Sequence, residues 1–114
     1  MSVVIYHNPR CSKSRQTLSL LEENNVQPKI IKYLETPLSI EELKTLFSQL
    51  LLSEVRSMMR TNENVYKELN LAQASDEELF EAMAENPILI ERPIVVANGK
   101  AIHGRPPEQV LDIL

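Results

Sequence analysis

The sequence predicts an α/β fold: a four-stranded mixed sheet whose two halves are separated by a helical insertion. Three observations carry this. A β-rich run, a helical pattern and a second β-rich run open the chain. Amphipathic helices fill the middle. Two β-rich runs around an Asn-Gly turn, followed by a helix, close it.

Val3-Val4-Ile5-Tyr6 is the first strand. Residues 13–25 carry Leu18, Leu20 and Leu21 and stop at Asn24-Asn25, a helix terminator. Ile30-Ile31-Lys32-Tyr33 is the second strand, after Pro28. Two strands joined by a helix are most simply a right-handed βαβ unit with parallel strands. Ser39 with Glu42 forms a capping box and opens a helix. Leu43, Leu46, Phe47, Leu50 and Leu51 give it one apolar face. Val55, Met58 and Met59 repeat the spacing in a shorter helix, and another short helix covers Val65 to Leu69. Ser75 with Glu78 is a second capping box, for a helix through Leu79, Phe80 and Met83 to about Glu85. Asn86-Pro87 breaks it. Ile94–Ala97 and Lys100–His103 flank Asn98-Gly99, the strongest short hairpin signal. After Gly104-Arg105-Pro106-Pro107 a last helix turns Val110, Leu111 and Leu114 inward. The order βαβ, insertion at about 39–85, ββα is a thioredoxin-like topology in a single domain, 1–114.

At 114 residues, with 43% hydrophobic and 25% charged residues, the chain is an ordinary soluble domain with a core of its own. No basic, apolar and small-residue sequence marks a signal peptide, and no apolar run reaches membrane-spanning length. A single cysteine cannot form an internal disulfide, so a reducing cytoplasm is the expected compartment. The net charge of −4 argues against nonspecific nucleic-acid binding. Acids gather at Glu41-Glu42 and Asp76-Glu77-Glu78, where helix surfaces are expected, whereas Arg10, Arg92 and Arg105 sit in loops. Cations gathered on an acidic protein point to a small anionic ligand.

That cysteine, Cys11, lies between the first strand and the first helix, among Arg10, Lys13 and Arg15. A helix N-terminus and nearby cations both favour thiolate, the nucleophilic form. The competing reading is a small buried hydrophobe. No apolar neighbour flanks Cys11, and Asn8-Pro9 reads as a turn, so the reactive reading is preferred. Ser14 stands where a C-x-x-C motif has its second thiol, so any redox turnover needs an outside thiol. Cys11 to Arg15 is too short for the C-x5-R phosphate loop.

Arg92 precedes Pro93, which opens the third strand; Arg105 precedes Pro106; Arg60 follows the Val55–Met59 helix. In thioredoxin-like folds a proline at the position of Pro93 is cis and faces the thiol. Three guanidinium forks suit one tetrahedral oxyanion, although each alone would pass for a surface arginine. His7 could be a base, a thiolate partner or a structural loop histidine. His103 on its strand is expected to be structural, and Met58-Met59 to be core. No metal-ligand spacing occurs.

Tyr6-His7-Asn8-Pro9-Arg10-Cys11, Tyr33-Leu34-Glu35-Thr36-Pro37, Met59-Arg60, Pro87 through Val96 and Arg105-Pro106 resemble the glutaredoxin-coupled arsenate reductase family, in colinear order over essentially the whole chain. Ser12-Lys13 departs from the Gly-Thr that often follows the cysteine, and marks a shorter C-S-K-S branch. The resemblance implies a nucleophilic Cys11 thiolate, tuned by His7 and hydrogen-bonded by Ser14. It implies an oxyanion site of Arg60, Arg92 and Arg105. It further implies reduction of arsenate with glutathione as co-substrate, glutaredoxin as partner and no bound cofactor. Two alternatives stand beside it: a glutathione-dependent thiol oxidoreductase with another substrate, and a transcription-regulator relative that binds RNA polymerase. Ser14 argues against oxidation sensing through C-x-x-C in the latter.

Overall fold

The computed structural model describes residues 2–114. Four strands, β1 (Val3–Tyr6), β2 (Lys29–Ile31), β3 (Ile94–Ala97) and β4 (Lys100–His103), form one sheet in the order β2-β1-β3-β4. The helices are α1 (Ser12–Glu23), α2 (Ile40–Leu50), α3 (Asn64–Glu68) and α4 (Asp76–Glu85), with short 3₁₀ segments between and after them. β1 and β2 are parallel, with Ile5 opposite Ile30. β1 pairs antiparallel with β3, Tyr6 opposite Ile94, and β3 with β4, Val95 opposite Ile102. This mixed sheet with its α1 crossover is the thioredoxin-like arrangement.

The chain divides into two compact units. The sheet unit runs to Thr36 and resumes at Arg92–Leu114; the helical unit is Pro37–Glu91. In the sheet unit, strand alternation sends Val3, Ile5, Val95 and Ala97 to one face. There they pack with Leu21 of α1 and with Val110 and Ile113 of the final segment. The β3–β4 hairpin closes through Asn98 (φ 55°) and Gly99 (φ 74°), the pair of positive φ values that a two-residue I′ turn demands.

In the helical unit both capping boxes form: Ser39 and Ser75 each accept from the N–H three residues on, and Glu42 and Glu78 reach back. α2 and α4 pack against each other, and Leu43 and Leu46 of the one and Leu79 and Met83 of the other are buried. Phe47 and Phe80 meet edge to face at 5.9 Å. A bridge between Met59 and Ile90, with Arg60 N–H donating to Leu89 at 2.7 Å and Glu91 N–H to Met58 at 2.9 Å, closes the unit.

Four sequence expectations are corrected. Leu51 leaves the apolar face: α2 ends at Leu50, Leu51 adopts φ 56°, and it is 86% exposed. The Val55–Met59 segment is a 3₁₀ turn over Val55–Met58, with Met59 extended into the bridge. β2 stops at Ile31; Ile30 lies exposed on this edge strand, and Tyr33 is buried beyond the strand. The last helix is also 3₁₀, over Pro107–Ile113. Its three-residue turn buries Pro107, Val110 and Ile113 and leaves Leu111 exposed, where α-helical spacing would have buried Leu111.

Candidate active site

The site is assembled where β1 hands over to α1. The ladder runs one residue past β1, with His7 N–H donating to Ile31 at 2.8 Å. The chain then turns. Asn8 accepts from Arg10 N–H through its side chain and from Cys11 N–H through its carbonyl, both at 3.0 Å. This is the Asx-turn chemistry for which asparagine is favoured. Arg15 reaches back along the helix to donate to the Pro9 carbonyl at 2.9 Å.

Cys11 is thereby set at the N-cap of α1, with extended backbone (φ −93°, ψ 124°) and a partly exposed side chain. Its carbonyl accepts from Arg15 N–H, which starts the helix. Its side chain caps nothing. The N–H groups of Ser12, Lys13 and Ser14 are thus left without the side-chain partner that a serine or aspartate cap would supply. They carry the positive end of the helix dipole beside the sulfur.

Ser14, three residues on, is fully buried. Its hydroxyl accepts from Asn8 N–H at 3.0 Å and lies 2.6 Å from His7 Nδ1. His7 is also buried. That burial, with the Lys32 and Arg15 charges beside it, holds the imidazole below its ordinary value and so favours its neutral form. His7 and Ser14 therefore form a polar bolt between the end of β1 and the first turn of α1. In this arrangement the Ser14 hydroxyl is engaged with His7 and Asn8, not with the Cys11 sulfur.

Arg92 and Arg105 come together although 13 residues apart: Arg105 Nη1 donates to the Arg92 carbonyl at 3.0 Å. Both precede prolines, and both Arg92–Pro93 and Arg105–Pro106 are cis. Gly104 joins these loops to α1. Its N–H donates to Pro93 at 3.0 Å, and Thr17, buried on α1, contacts it directly. A side chain at Gly104 would collide with Thr17 Oγ1 and the Pro93 ring. Arg60 belongs to the helical unit, where Glu63 holds its Nε at 2.9 Å and Glu91 lies 4.0 Å from its Nη1.

Sequence reasoning missed several of these parts. Thr17 and Gly104 show no periodicity or motif that would pair them. The Glu63 and Glu91 partners of Arg60 were equally silent. The turn at Asn8-Pro9 was legible, and its Asn8 side chain as acceptor for Arg10 N–H could have been found with it, since asparagine in a turn commonly bonds the backbone two residues on. Among the described residues, no group of three or more His, Cys, Asp or Glu could hold a metal, and no helix is long and apolar enough to cross a membrane.

A profile of the ArsC family matches residues 6–113. The chain belongs to the ArsC family. Among relatives of this ArsC chain, the arsenate reductase of Haemophilus influenzae is 53% identical, with all of both chains covered. An uncharacterized Escherichia coli protein, YfgD, is 59% identical over 98% of this chain and 96% of its own. The solved structure of an arsenate reductase from Vibrio cholerae superposes with a TM-score of 0.98 at 69% identity, over 100% of this chain and 98% of that one. The ArsC match thus takes in the Cys11 loop, the helical unit and both Arg-Pro steps.

Proposed function

We propose that this protein reduces arsenate to arsenite in the cytoplasm, with Cys11 as nucleophile and with glutathione and glutaredoxin as the source of electrons. The observation that carries the reading is the state of Cys11: the chain's single thiol, partly exposed at the N-cap of a twelve-residue helix, its side chain uncommitted. The likeness to proteins named arsenate reductases supplies the substrate.

In this reading the Cys11 thiolate attacks arsenic, an As–S bond forms and water leaves. The first-turn N–H groups of α1 and the Arg92 and Arg105 guanidinium groups face the arsenate oxygens; the resemblance assigns Arg60 to the same task. A glutathione thiolate then attacks the Cys11 sulfur. The As–S electron pair returns to arsenic, which leaves as arsenic(III), and Cys11 is left as a mixed disulfide with glutathione. Two thiols have lost two electrons and arsenic has gained them. Glutaredoxin resolves the mixed disulfide by thiolate exchange.

His7 and Ser14 suit the attack. When the neutral imidazole carries its proton on Nδ1, Ser14 accepts from both His7 and Asn8. Its own hydroxyl proton is then available to the sulfur, three residues away on the same helical turn.

The test is arsenate-dependent NADPH consumption in a system of glutathione, glutaredoxin and glutathione reductase. Turnover that needs arsenate, glutathione and Cys11 together supports the reading. Turnover on glutathionylated protein but not on arsenate would replace it with a general thiol oxidoreductase.

A further inference from the structure

On the β2 side of the Cys11 loop lies a groove of about 420 Å³, within the size range of small-molecule sites. The segment His7 to Arg10, immediately before the cysteine, forms one wall, and Lys32, Leu34 and Glu35 form the other. It lies wholly within the sheet unit. The chemistry of the lining is mixed in a particular way. It carries two cations, Arg10 and Lys32, and one carboxylate, Glu35, with the exposed apolar side chain of Leu34 between them. Among the described residues, none of these three charged ends is engaged in an ion pair or side-chain hydrogen bond. Lys32 lies near enough to His7 for its charge to act on that ring. The groove's cations and the nucleophile's loop are therefore one neighbourhood.

A free tripeptide thiol has the opposite set: two carboxylates, one ammonium group and methylene segments between them. We propose that this groove binds the glutathione portion of the thiol co-substrate. Arg10 and Lys32 receive the two carboxylates, Glu35 receives the α-ammonium, and Leu34 covers the methylenes, so that the sulfur is presented to Cys11 across Pro9. This rests on the glutathione-dependent reading above and assigns its co-substrate subsite. The step it assists is thiolate exchange: an S–S bond forms between Cys11 and glutathione as the S–S or S–As bond already present breaks.

The subsite can be tested without arsenate. Reduced protein is mixed with glutathione disulfide, and the Cys11–glutathione adduct is timed by mass spectrometry. The Cys11 thiolate attacks one sulfur of the disulfide and expels a glutathione thiolate, so the step is balanced. The same measurement with hydroxyethyl disulfide, which is small and uncharged, reports the reactivity of the thiol itself. Lys32→Ala and Glu35→Ala alter exposed side chains and leave the core intact. Each should slow the glutathione disulfide reaction about three- to tenfold and leave the hydroxyethyl disulfide reaction within about twofold of wild type. Lys32→Glu should slow it further. Unchanged rates with glutathione disulfide, or parallel slowing with both disulfides, would overturn the subsite. The outcomes also separate the two claims. Arsenate turnover with an unaltered KM for glutathione in these variants removes the subsite alone. Selective slowing in a protein that never turns over arsenate removes the arsenate reading alone.

Discussion

The sheet unit and the helical unit are built from different kinds of contact, and the contrast shows where chemistry can be placed. The helical unit spends its polar and aromatic groups on its own packing: two capping boxes, i to i+3 and i+4 apolar spacing and an edge-to-face pair between Phe47 and Phe80. Arg56, for example, donates to the Tyr66 hydroxyl and to the carbonyls of Leu71, Ala72 and Ala74 to seal a turn. In the sheet unit the polar contacts around the cysteine tie the ends of separate elements together. His7 meets Ser14, Thr17 meets Gly104, and Arg105 meets the Arg92 carbonyl. Those contacts immobilise the loops and leave the Cys11 side chain and the first-turn N–H groups uncommitted. A scaffold that satisfied every donor locally would have none left for a ligand.

The sharpest break of this contrast is Cys11→Ser. It should remove all turnover while leaving the thermal midpoint within a few degrees, because the side chain is partly exposed and caps nothing. Loss of stability comparable to a core deletion would mean that Cys11 is structural after all.

Core deletion should behave in the opposite way. Leu79→Ala, fully buried in α4, should cost about 2–5 kcal/mol in denaturant unfolding. The variant should still alkylate at Cys11 at the wild-type rate under conditions where it remains folded.

The arginines test whether a ligand is held beside Cys11. Ala at Arg92, Arg105 or Arg60 should raise the KM for arsenate or lower kcat/KM about tenfold or more, since charge-assisted bonds contribute roughly 1.5–3 kcal/mol. Lys should rescue in part, keeping charge but losing the planar fork. Sulfate and phosphate should compete. Wild-type kinetics in all three variants would place the oxyanion pocket elsewhere.

Ser39→Ala and Ser75→Ala should each cost about 0.5–2 kcal/mol through loss of a cap, with no change in Cys11 reactivity. A change in that reactivity would show that the two units are coupled.

The smallest expected effect is a pH dependence. His7 is held below its ordinary value of about 6.5, so the unfolded chain binds the proton more readily than the folded one. The contribution is fully present above about pH 6.5 and is lost as pH falls through the lower folded value. Urea midpoints measured from pH 7.5 downward should show this decline, and His7→Gln should remove it. An identical decline in His7→Gln would assign it to other groups.

Much of this protein is legible in the order of its residues. Both capping boxes, the Asn98-Gly99 turn and the strand alternation are local rules, in which a residue's neighbours in sequence are its neighbours in space. The place of Cys11 at a helix start is legible for the same reason, as are the Arg-Pro steps. The sequence by itself therefore determined the order of elements and the place of the chain's single thiol at the start of a helix. Tertiary structure decided the rest. Which helical period the last segment takes depends on the core beneath it: Val110 and Ile113, on one face of the 3₁₀ segment, both join the cluster of Val3, Ile5 and Val95. Whether Leu51 is covered depends on where α2 ends. The engagement of Ser14 with His7, and the fit of Gly104 against Thr17, each require two separate elements to arrive at one place. No pattern of period two or 3.6 encodes such a meeting, because it is set by how the sheet and α1 pack and not by either segment alone.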